Sequence, residues 1–134
     1  MKRYLLDTNT ISHLVKNHPA VTRRVTQVPM TALCMSAITG AELMFGLAKI
    51  PAATRLQHAV TELLRRVDVL PWDATVMACY GKLRADLERQ GKTLGPLDML
   101  IAAHAVQANA ILVSNDAAFK RVAGLNVEDW TRAE

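Results

Sequence analysis

Four acidic residues of the chain stand in apolar or turn-like surroundings, where simple exposure to solvent does not explain them. Asp7 follows the apolar run YLL, Glu42 lies in ITGAELMFG, Asp98 in GPLDMLIAAHA, and Asp116 ends ILVSND. Carboxylates in such places either cap helices or take part in chemistry. The remaining acids lie among polar neighbours or near segment ends and are predicted to be solvated: Glu62, Asp68, Asp73, Asp86, Glu88, Glu128, Asp129 and Glu134.

Short apolar runs alternate with longer helical patterns along the chain. Strands are predicted at 3–6, 32–36, 67–73 and 110–116, with a last short strand within LNVEDW. Helices are predicted at 9–16, 38–50, 53–67, 74–91 and 95–109, with a short helix at 116–122. This alternation predicts an α/β fold with a central parallel sheet and helices on both faces.

Composition limits the class of protein. The chain has 134 residues, 51% of them hydrophobic, which predicts one compact domain over residues 1–134. A formal charge of +4 and a pI near 9.4 favour anionic partners. Cys34 and Cys79 have neither metal-ligand nor disulfide spacing and are predicted to be reduced. No apolar run approaches the roughly 20 residues of a membrane helix, so a soluble cytoplasmic protein is expected.

Helix capping explains each of the four acids when it is considered alone. An acid at the start of a helix accepts backbone hydrogen bonds and favours the positive end of the helix dipole. The residues that fit this role are Asp7 or Thr8, the Thr39–Glu42 pair with capping-box spacing, Asp98 two residues after a first-turn proline, and Asn115 or Asp116.

Considered together, the four acids indicate more than capping. Strand ends and the following helix starts meet at one edge of a parallel sheet, so four carboxylates would share one cleft. Such a cluster requires raised pKa values or a neutralising cation. Oxygen ligands without His or Cys favour Mg²⁺ or Mn²⁺. In a basic protein this pattern indicates phosphodiester hydrolysis, in which the metal activates a water and surface Lys and Arg hold the backbone.

Five segments of the chain then reveal a family resemblance in their order and spacing. They are LLDTNTIS, MSAITGAELMFG, GPLDMLIAAHA, ILVSNDAAFKRVAGL and VEDW. With these segments the chain resembles the PIN-domain ribonucleases, and among them the VapC-type toxins of toxin–antitoxin pairs. The resemblance implies a PIN-like three-layer α/β/α fold and a Mg²⁺-dependent endoribonuclease.

The resemblance also implies roles for individual residues. Asp7 and Asp98 match the family's most secure Mg²⁺ ligands, and Glu42 and Asp116 would complete the pocket directly or through water. The polar positions that orient the acids by hydrogen bonds in the family correspond here to Asn9 and Ser114.

Partners follow from the same resemblance. Toxins of this type form homodimers and are held inactive in larger complexes by a VapB-type antitoxin, whose extended C-terminal segment crosses the cleft. The toxin–antitoxin complex, not the toxin alone, binds promoter DNA. The expected substrate is structured RNA, mainly tRNA, with the anticodon loop of initiator tRNA as the expected target, so that translation stops until the antitoxin neutralises the toxin. No membrane partner is expected.

Three alternative functions can be compared with the sequence. A phosphatase of the haloacid-dehalogenase type needs a second acid two positions after Asp7, where this chain has Asn9. A receiver domain needs an acidic pair at the first strand and a lysine after a late strand, where this chain has Ser114, Asn115 and Asp116. A PIN-like module that binds nucleic acid without catalysis would be favoured by loss of a pocket acid, but all four are present.

Overall fold

A computed structural model describes residues 2–132 of the chain, so the prediction made for Glu134 lies outside the described residues. Five parallel strands form one sheet in the order β3-β2-β1-β4-β5. The strands are β1 (Tyr4–Leu6), β2 (Leu33–Ser36), β3 (Asp68–Leu70), β4 (Ile111–Val113) and β5 (Val127–Glu128). The α-helices of residues 2–132 are α1 (Thr8–Val15), α2 (Pro19–Thr26), α3 (Ala37–Ala48), α4 (Thr54–Arg66), α5 (Ala74–Arg89) and α6 (Pro96–Gln107); Met30–Ala32 and Ala117–Arg121 form 3₁₀ turns.

Alternate side chains of the central strands enter two separate cores, as the pleat of a strand requires. Leu6 and Val113 face the core formed with α1 to α4, whereas Leu5 and Leu112 face the core that contains α6. Helix α5 packs against α6 on that second side. The predicted three-layer α/β/α arrangement, with helices on both faces of a parallel sheet, is confirmed.

Helix α2 is an element that the hydrophobic pattern did not predict. It begins at Pro19, whose fixed φ angle suits the first turn, and the His18 ring accepts a 3.4 Å hydrogen bond from the Val21 N–H. Its exposed polar residues leave Val21 as its one fully buried side chain. The helix is only eight residues long and low in overall hydrophobicity, so it offers few apolar residues from which to predict it.

Strand β4 is shorter than predicted, and this difference matters for function. It ends at Val113, so Ser114, Asn115 and Asp116 lie in a loop beyond the sheet instead of inside a strand. Both cysteines are free, as predicted, with Cys34 buried and Cys79 half-buried. None of the helices within residues 2–132 is long and apolar enough to cross a bilayer.

The connection order changes direction between β1 and β4, at the centre of the sheet. From β1 the chain proceeds outward to β2 and β3, then returns past β1 to form β4 and β5. Leu6 is paired with Val113, and the Asp7 N–H donates a 3.1 Å hydrogen bond to the Val113 carbonyl. Ligands of open α/β sheets bind at the carboxyl ends of the strands at such a reversal.

Candidate acidic active site

Asp7 lies at this reversal and caps α1. It is one of the two residues, Asp7 and Thr8, that the sequence predicts as caps of this helix. Its Oδ1 accepts a 2.8 Å hydrogen bond from the Thr10 N–H, and the Thr10 hydroxyl donates to the Val113 carbonyl at 2.9 Å. Asp7 is only 5% exposed. Capping therefore fixes a nearly buried carboxylate at the end of β1, while its Oδ2 accepts no hydrogen bond from residues 2–132.

Asp116 lies in the loop that follows β4 and caps the 3₁₀ turn. Its Oδ1 accepts a 2.9 Å hydrogen bond from the Ala118 N–H. The buried Ser114 hydroxyl accepts a 3.0 Å hydrogen bond from the Asp116 N–H. Ser114 therefore orients the backbone that carries Asp116, and it acts on the carboxylate only through that backbone.

The capping-box interpretation of Thr39 and Glu42 is wrong. Helix α3 begins at Ala37, and the Ser36 hydroxyl caps it by accepting a 3.1 Å hydrogen bond from the Ile38 N–H. Thr39 and Glu42 consequently lie inside the helix. The Thr8 hydroxyl instead donates a 2.8 Å hydrogen bond to Glu42 Oε1, which joins the start of α1 to α3.

A buried polar link joins the start of α3 to α6. The Ser36 hydroxyl lies 2.7 Å from His104 Nδ1, and both side chains are almost inaccessible to solvent. Burial lowers the pKa of His104, and the nearby Asp73 charge acts in the opposite direction. A neutral imidazole satisfies the Ser36 hydroxyl and keeps the helix that carries Asp98 against the helix that carries Glu42.

Asp98 shows that the four acids lie close together. It is the third residue of α6, a half-buried position, and the N-cap of that helix is Gly95, which has no side chain to cap it. Burial is the largest cause that raises the pKa of Asp98, followed by the charges of Asp116, Asp7 and Glu42. Three acids that are far apart in sequence thus act on one carboxyl group, and capping explains neither Asp98 nor Glu42.

The donor chemistry of this acidic cluster (Asp7, Glu42, Asp98 and Asp116) suits a hard divalent cation. Asp98 accepts no hydrogen bond from residues 2–132, and the other three acids each keep one carboxylate oxygen free of such partners. Within the same residues, no three Asp, Glu, His or Cys side chains already converge at metal-ligand distances. Side-chain rotation and water ligands, which Mg²⁺ commonly retains, would therefore complete a coordination shell.

The polar neighbours of the acids differ from the sequence expectation in one respect. Asn9 is exposed and makes no hydrogen bond to a carboxylate within the described part of the chain. Thr8, one position earlier, makes such a contact, and sequence reasoning considered it only as a cap. The contact joins two elements 34 residues apart, so no local pattern could have indicated it.

Comparison with known proteins agrees with this fold. The sequence model of the PIN domain family matches residues 4–125. The chain therefore belongs to the PIN-domain family, whose nucleases generally depend on divalent metal ions. This membership sets aside the phosphatase and receiver-domain alternatives.

Relatives within the family are more specific, and they place the chain in the VapC group. It is 37% identical over 132 residues to the tRNA(fMet)-specific endonuclease VapC of Shigella flexneri, covering 98% of this chain and 100% of that protein. It is 35% identical to the protein of the same name from Salmonella typhimurium, with 97% and 99% covered.

Solved structures give the same result. The DNA-bound VapBC structure of Salmonella typhimurium matches with a TM-score of 0.88 at 35% identity, over 97% of this chain and 99% of that one. VapBC2 of Rickettsia felis, bound to a DNA fragment from its promoter, matches with a TM-score of 0.85 at 32% identity, over 93% and 96%.

Proposed function

We propose that this chain is the toxin of a toxin–antitoxin pair and cleaves tRNA as a Mg²⁺-dependent endoribonuclease in the cytoplasm. The observation that carries the proposal is the meeting of four acids at one edge of the sheet: Asp7 directly follows β1, Asp116 follows the adjacent strand β4, and Glu42 and Asp98 lie on α3 and α6. Burial and the charges of the other three acids accordingly raise the pKa of Asp98. The curated relatives named tRNA(fMet)-specific endonucleases support initiator tRNA as the substrate. The anticodon loop is proposed as the site of cleavage from the resemblance to VapC-type toxins. Cleavage there inhibits translation.

Asp7 and Asp98 are the principal metal ligands in this proposal, and Glu42 and Asp116 complete the site directly or through water. Bound Mg²⁺, for which Mn²⁺ can substitute, supplies an activated water and offsets charge that develops on the phosphate. The raised pKa of Asp98 makes its carboxyl group retain a proton more readily than an isolated aspartate does. A bound divalent cation offsets the repulsion between the carboxylates. Cation binding and loss of the Asp98 proton are therefore coupled.

The surrounding polar residues position the acids. Thr8 limits rotation of Glu42, and Ser114 holds the backbone of Asp116. Asn9, exposed beside Asp7, is proposed as a further polar neighbour of the acids in the substrate complex. These contacts hold the carboxylates in place before the substrate binds. The carboxylates therefore lose little conformational entropy when the reaction begins.

Partner binding is proposed at the exposed apolar surface of α3. Leu43 and Leu47 are buried in the core, whereas Met44 is 47% and Phe45 is 64% exposed, on the helix that carries Glu42. The proposed partners are a second copy of this chain, which would form a homodimer, and a VapB-type antitoxin. Promoter DNA would be bound only through the larger complex with the antitoxin. A basic antitoxin side chain at the cleft would compete with the cation for the carboxylates.

The decisive experiment incubates the purified chain with initiator tRNA and, as a matched control, elongator methionine tRNA. We expect cleavage of the initiator tRNA in Mg²⁺ or Mn²⁺, none in EDTA, and RNA ends that map to the anticodon loop. Cleavage that persists in EDTA would contradict the metal proposal. Tight tRNA binding with no cleavage in either metal would support the non-catalytic binding alternative.

The Thr8–Glu42 hydrogen bond provides a further prediction. Thr8→Val removes the hydroxyl that holds Glu42, and we expect about a tenfold rise in the Mg²⁺ concentration that gives half-maximal cleavage. Thr8→Ser keeps the hydroxyl and should retain the parent value. Equal metal dependence of Thr8→Val and Thr8→Ser would exclude a positioning role for Thr8.

A further inference from the structure

A small pocket beside Asp116 is lined by two basic side chains, Lys120 and Arg132, to which the proposed function gives no role. Its volume is about 150 Å³. Since a water molecule occupies roughly 30 Å³ in the liquid, the pocket can hold a group the size of a phosphate ester. The residues that line it are Ser114, Asn115, Asp116, Ala117, Lys120, Val127, Asp129 and Arg132.

The chain segment that forms one wall of this pocket is firmly anchored. Trp130 is 1% exposed and donates a 2.9 Å hydrogen bond from its indole Nε1 to Glu128. Arg24 forms a 3.0 Å ion pair with Glu128 and lies over the Trp130 ring at 5.2 Å. Glu128, predicted to be solvated, is instead partly buried in this network. Because alternate residues of an extended segment face opposite sides, Asp129 faces the pocket.

Asp129 forms an ion pair with Arg132 at the pocket, so its carboxylate is not available as a metal ligand. It accepts hydrogen bonds from the backbone and hydroxyl of Thr131, and its Oδ2 lies 3.3 Å from Arg132 Nε. Burial alone would raise the pKa of Asp129, but the Thr131 hydrogen bonds and the charges of Arg132 and Lys120 keep it below its usual value. Both cations therefore lie close enough to act on the same carboxylate.

We propose that Lys120 and Arg132 bind a backbone phosphate of the RNA that flanks the phosphate being cleaved. This inference rests on the proposed nuclease function. The pocket shares Asp116 with the acidic cluster, so a phosphate held in the pocket would lie next to a phosphate held at that cluster. Arg132 is 79% exposed, and a guanidinium binds phosphate with two parallel hydrogen bonds.

The charge balance of the pocket supports an anionic occupant. Asp129 is committed to Thr131 and Arg132, and the positive charges of Lys120 and Arg132 balance the negative charges of Asp116 and Asp129 in the pocket lining. A divalent cation at the acidic cluster would offset part of the negative charge around Asp116 and so favour an anion beside Lys120 and Arg132. An exposed ion pair such as Arg132–Asp129 contributes little to stability, so its loss should change ligand binding more than folding.

The test measures RNA binding with the Asp98→Asn background, so that the result does not depend on cleavage. The probe is a fluorescent hairpin RNA that carries the anticodon stem-loop of initiator tRNA. Lys120→Gln and Arg132→Gln should each weaken binding by about fivefold, and each should reduce the slope of log affinity against log salt by about 0.7 to 0.9. Lys120→Arg and Arg132→Lys keep the charge and should restore most of the slope.

Matched controls come from cations elsewhere on the surface. Arg89 pairs with Asp86 three residues before it, as Arg132 pairs with Asp129, but it lies at the far end of α5. Lys16 is exposed at the end of α1 opposite to Asp7. If Lys120→Gln and Arg132→Gln match Arg89→Gln and Lys16→Gln in affinity and salt slope, the phosphate site is excluded.

Kinetics with an otherwise unsubstituted chain separate this inference from the nuclease proposal. In Lys120→Gln and Arg132→Gln, KM should rise while kcat stays within about twofold, because the lost contact is made equally in the ground and transition states. A fall in kcat at constant KM would overturn the assignment as a flanking phosphate site. Absence of cleavage by the parent chain would instead overturn the proposed function. The RNA affinities and salt slopes would then decide by themselves whether Lys120 and Arg132 bind phosphate.

Discussion

Asp98→Asn is expected to lose RNA cleavage by at least about 100-fold and, without divalent metal, to melt at a higher temperature than the parent at neutral pH. The activity falls because a proposed metal ligand is removed, and loss of even an indirect metal contact costs about 10- to 100-fold. Stability rises because the substitution removes a charge that burial and Asp116, Asp7 and Glu42 all disfavour. Activity and metal-free stability thus change in opposite directions.

The expected pH dependence has a defined sign. The folded-state pKa of Asp98 is raised, so between its ordinary value and the raised value the folded protein binds more protons than the unfolded chain. Parent stability should therefore fall as pH rises through that window, and Asp98→Asn should show a smaller fall. Melting curves in EDTA from pH 3.5 upward measure this effect.

Two further measurements make the Asp98 prediction specific. Mg²⁺ should raise the melting temperature of the parent, because a ligand of the folded state stabilises it, and should have little effect on Asp98→Asn. Asp86→Asn, a partly exposed change on α5, removes one charge that is not among those that raise the pKa of Asp98 and should preserve both cleavage and the Mg²⁺ effect. A metal-free Asp98→Asn protein that melts below the parent would mean that the helix-dipole contribution at α6 exceeds the repulsion.

Asp7→Asn is expected to abolish cleavage with little loss of stability, whereas Asp7→Ala is expected to lose both. Asparagine caps helices about as well as aspartate, so Asp7→Asn can still accept the Thr10 N–H. Alanine cannot, and should cost about 1 kcal/mol in the free energy of unfolding. Chemical denaturation and RNA cleavage, measured for both variants, separate the two roles of Asp7.

A second capping aspartate provides the control. Asp73 caps α5 by accepting a 3.0 Å hydrogen bond from the Thr75 N–H, and its charge is not among those that raise the pKa of Asp98. Asp73→Ala should therefore lose stability and retain cleavage. If Asp7→Asn is as active as the parent, capping is the whole role of Asp7 and the ligand assignment is wrong.

The position of the acidic cluster could be predicted because it depends on local patterns and one general rule. YLL before Asp7 and ILV before Ser114 indicate strands, and parallel strands bring their ends to one edge. The pairing of Leu6 with Val113 follows this rule. Hydrophobic periodicity alone does not provide the order of the strands, and the resemblance to PIN-domain ribonucleases implied only the three-layer α/β/α arrangement.

The contacts that refine the site could not be predicted, since they join distant elements. Starting α3 at Ile38 instead of Ala37 made Thr39 a candidate cap. Ser36 does end a strand, as predicted, but its second role as the cap of α3 was not predicted. Ser36 also contacts His104, 68 residues later. Such hydrogen bonds depend on how layers pack, and amphipathic patterns report only which face of each element is buried.

The reversal of strand order between β1 and β4 has a consequence for the protein during its synthesis. Asp7 leaves the ribosome long before Asp98 and Asp116, and β4 must form beside β1 before the three can meet. Synthesis adds about 5 to 20 residues per second, and a domain generally folds as a unit once its elements are available. A nascent chain that has not yet reached β4 thus lacks a complete acidic cluster, so the proposed nuclease site cannot assemble before β4 has been made and has paired with β1.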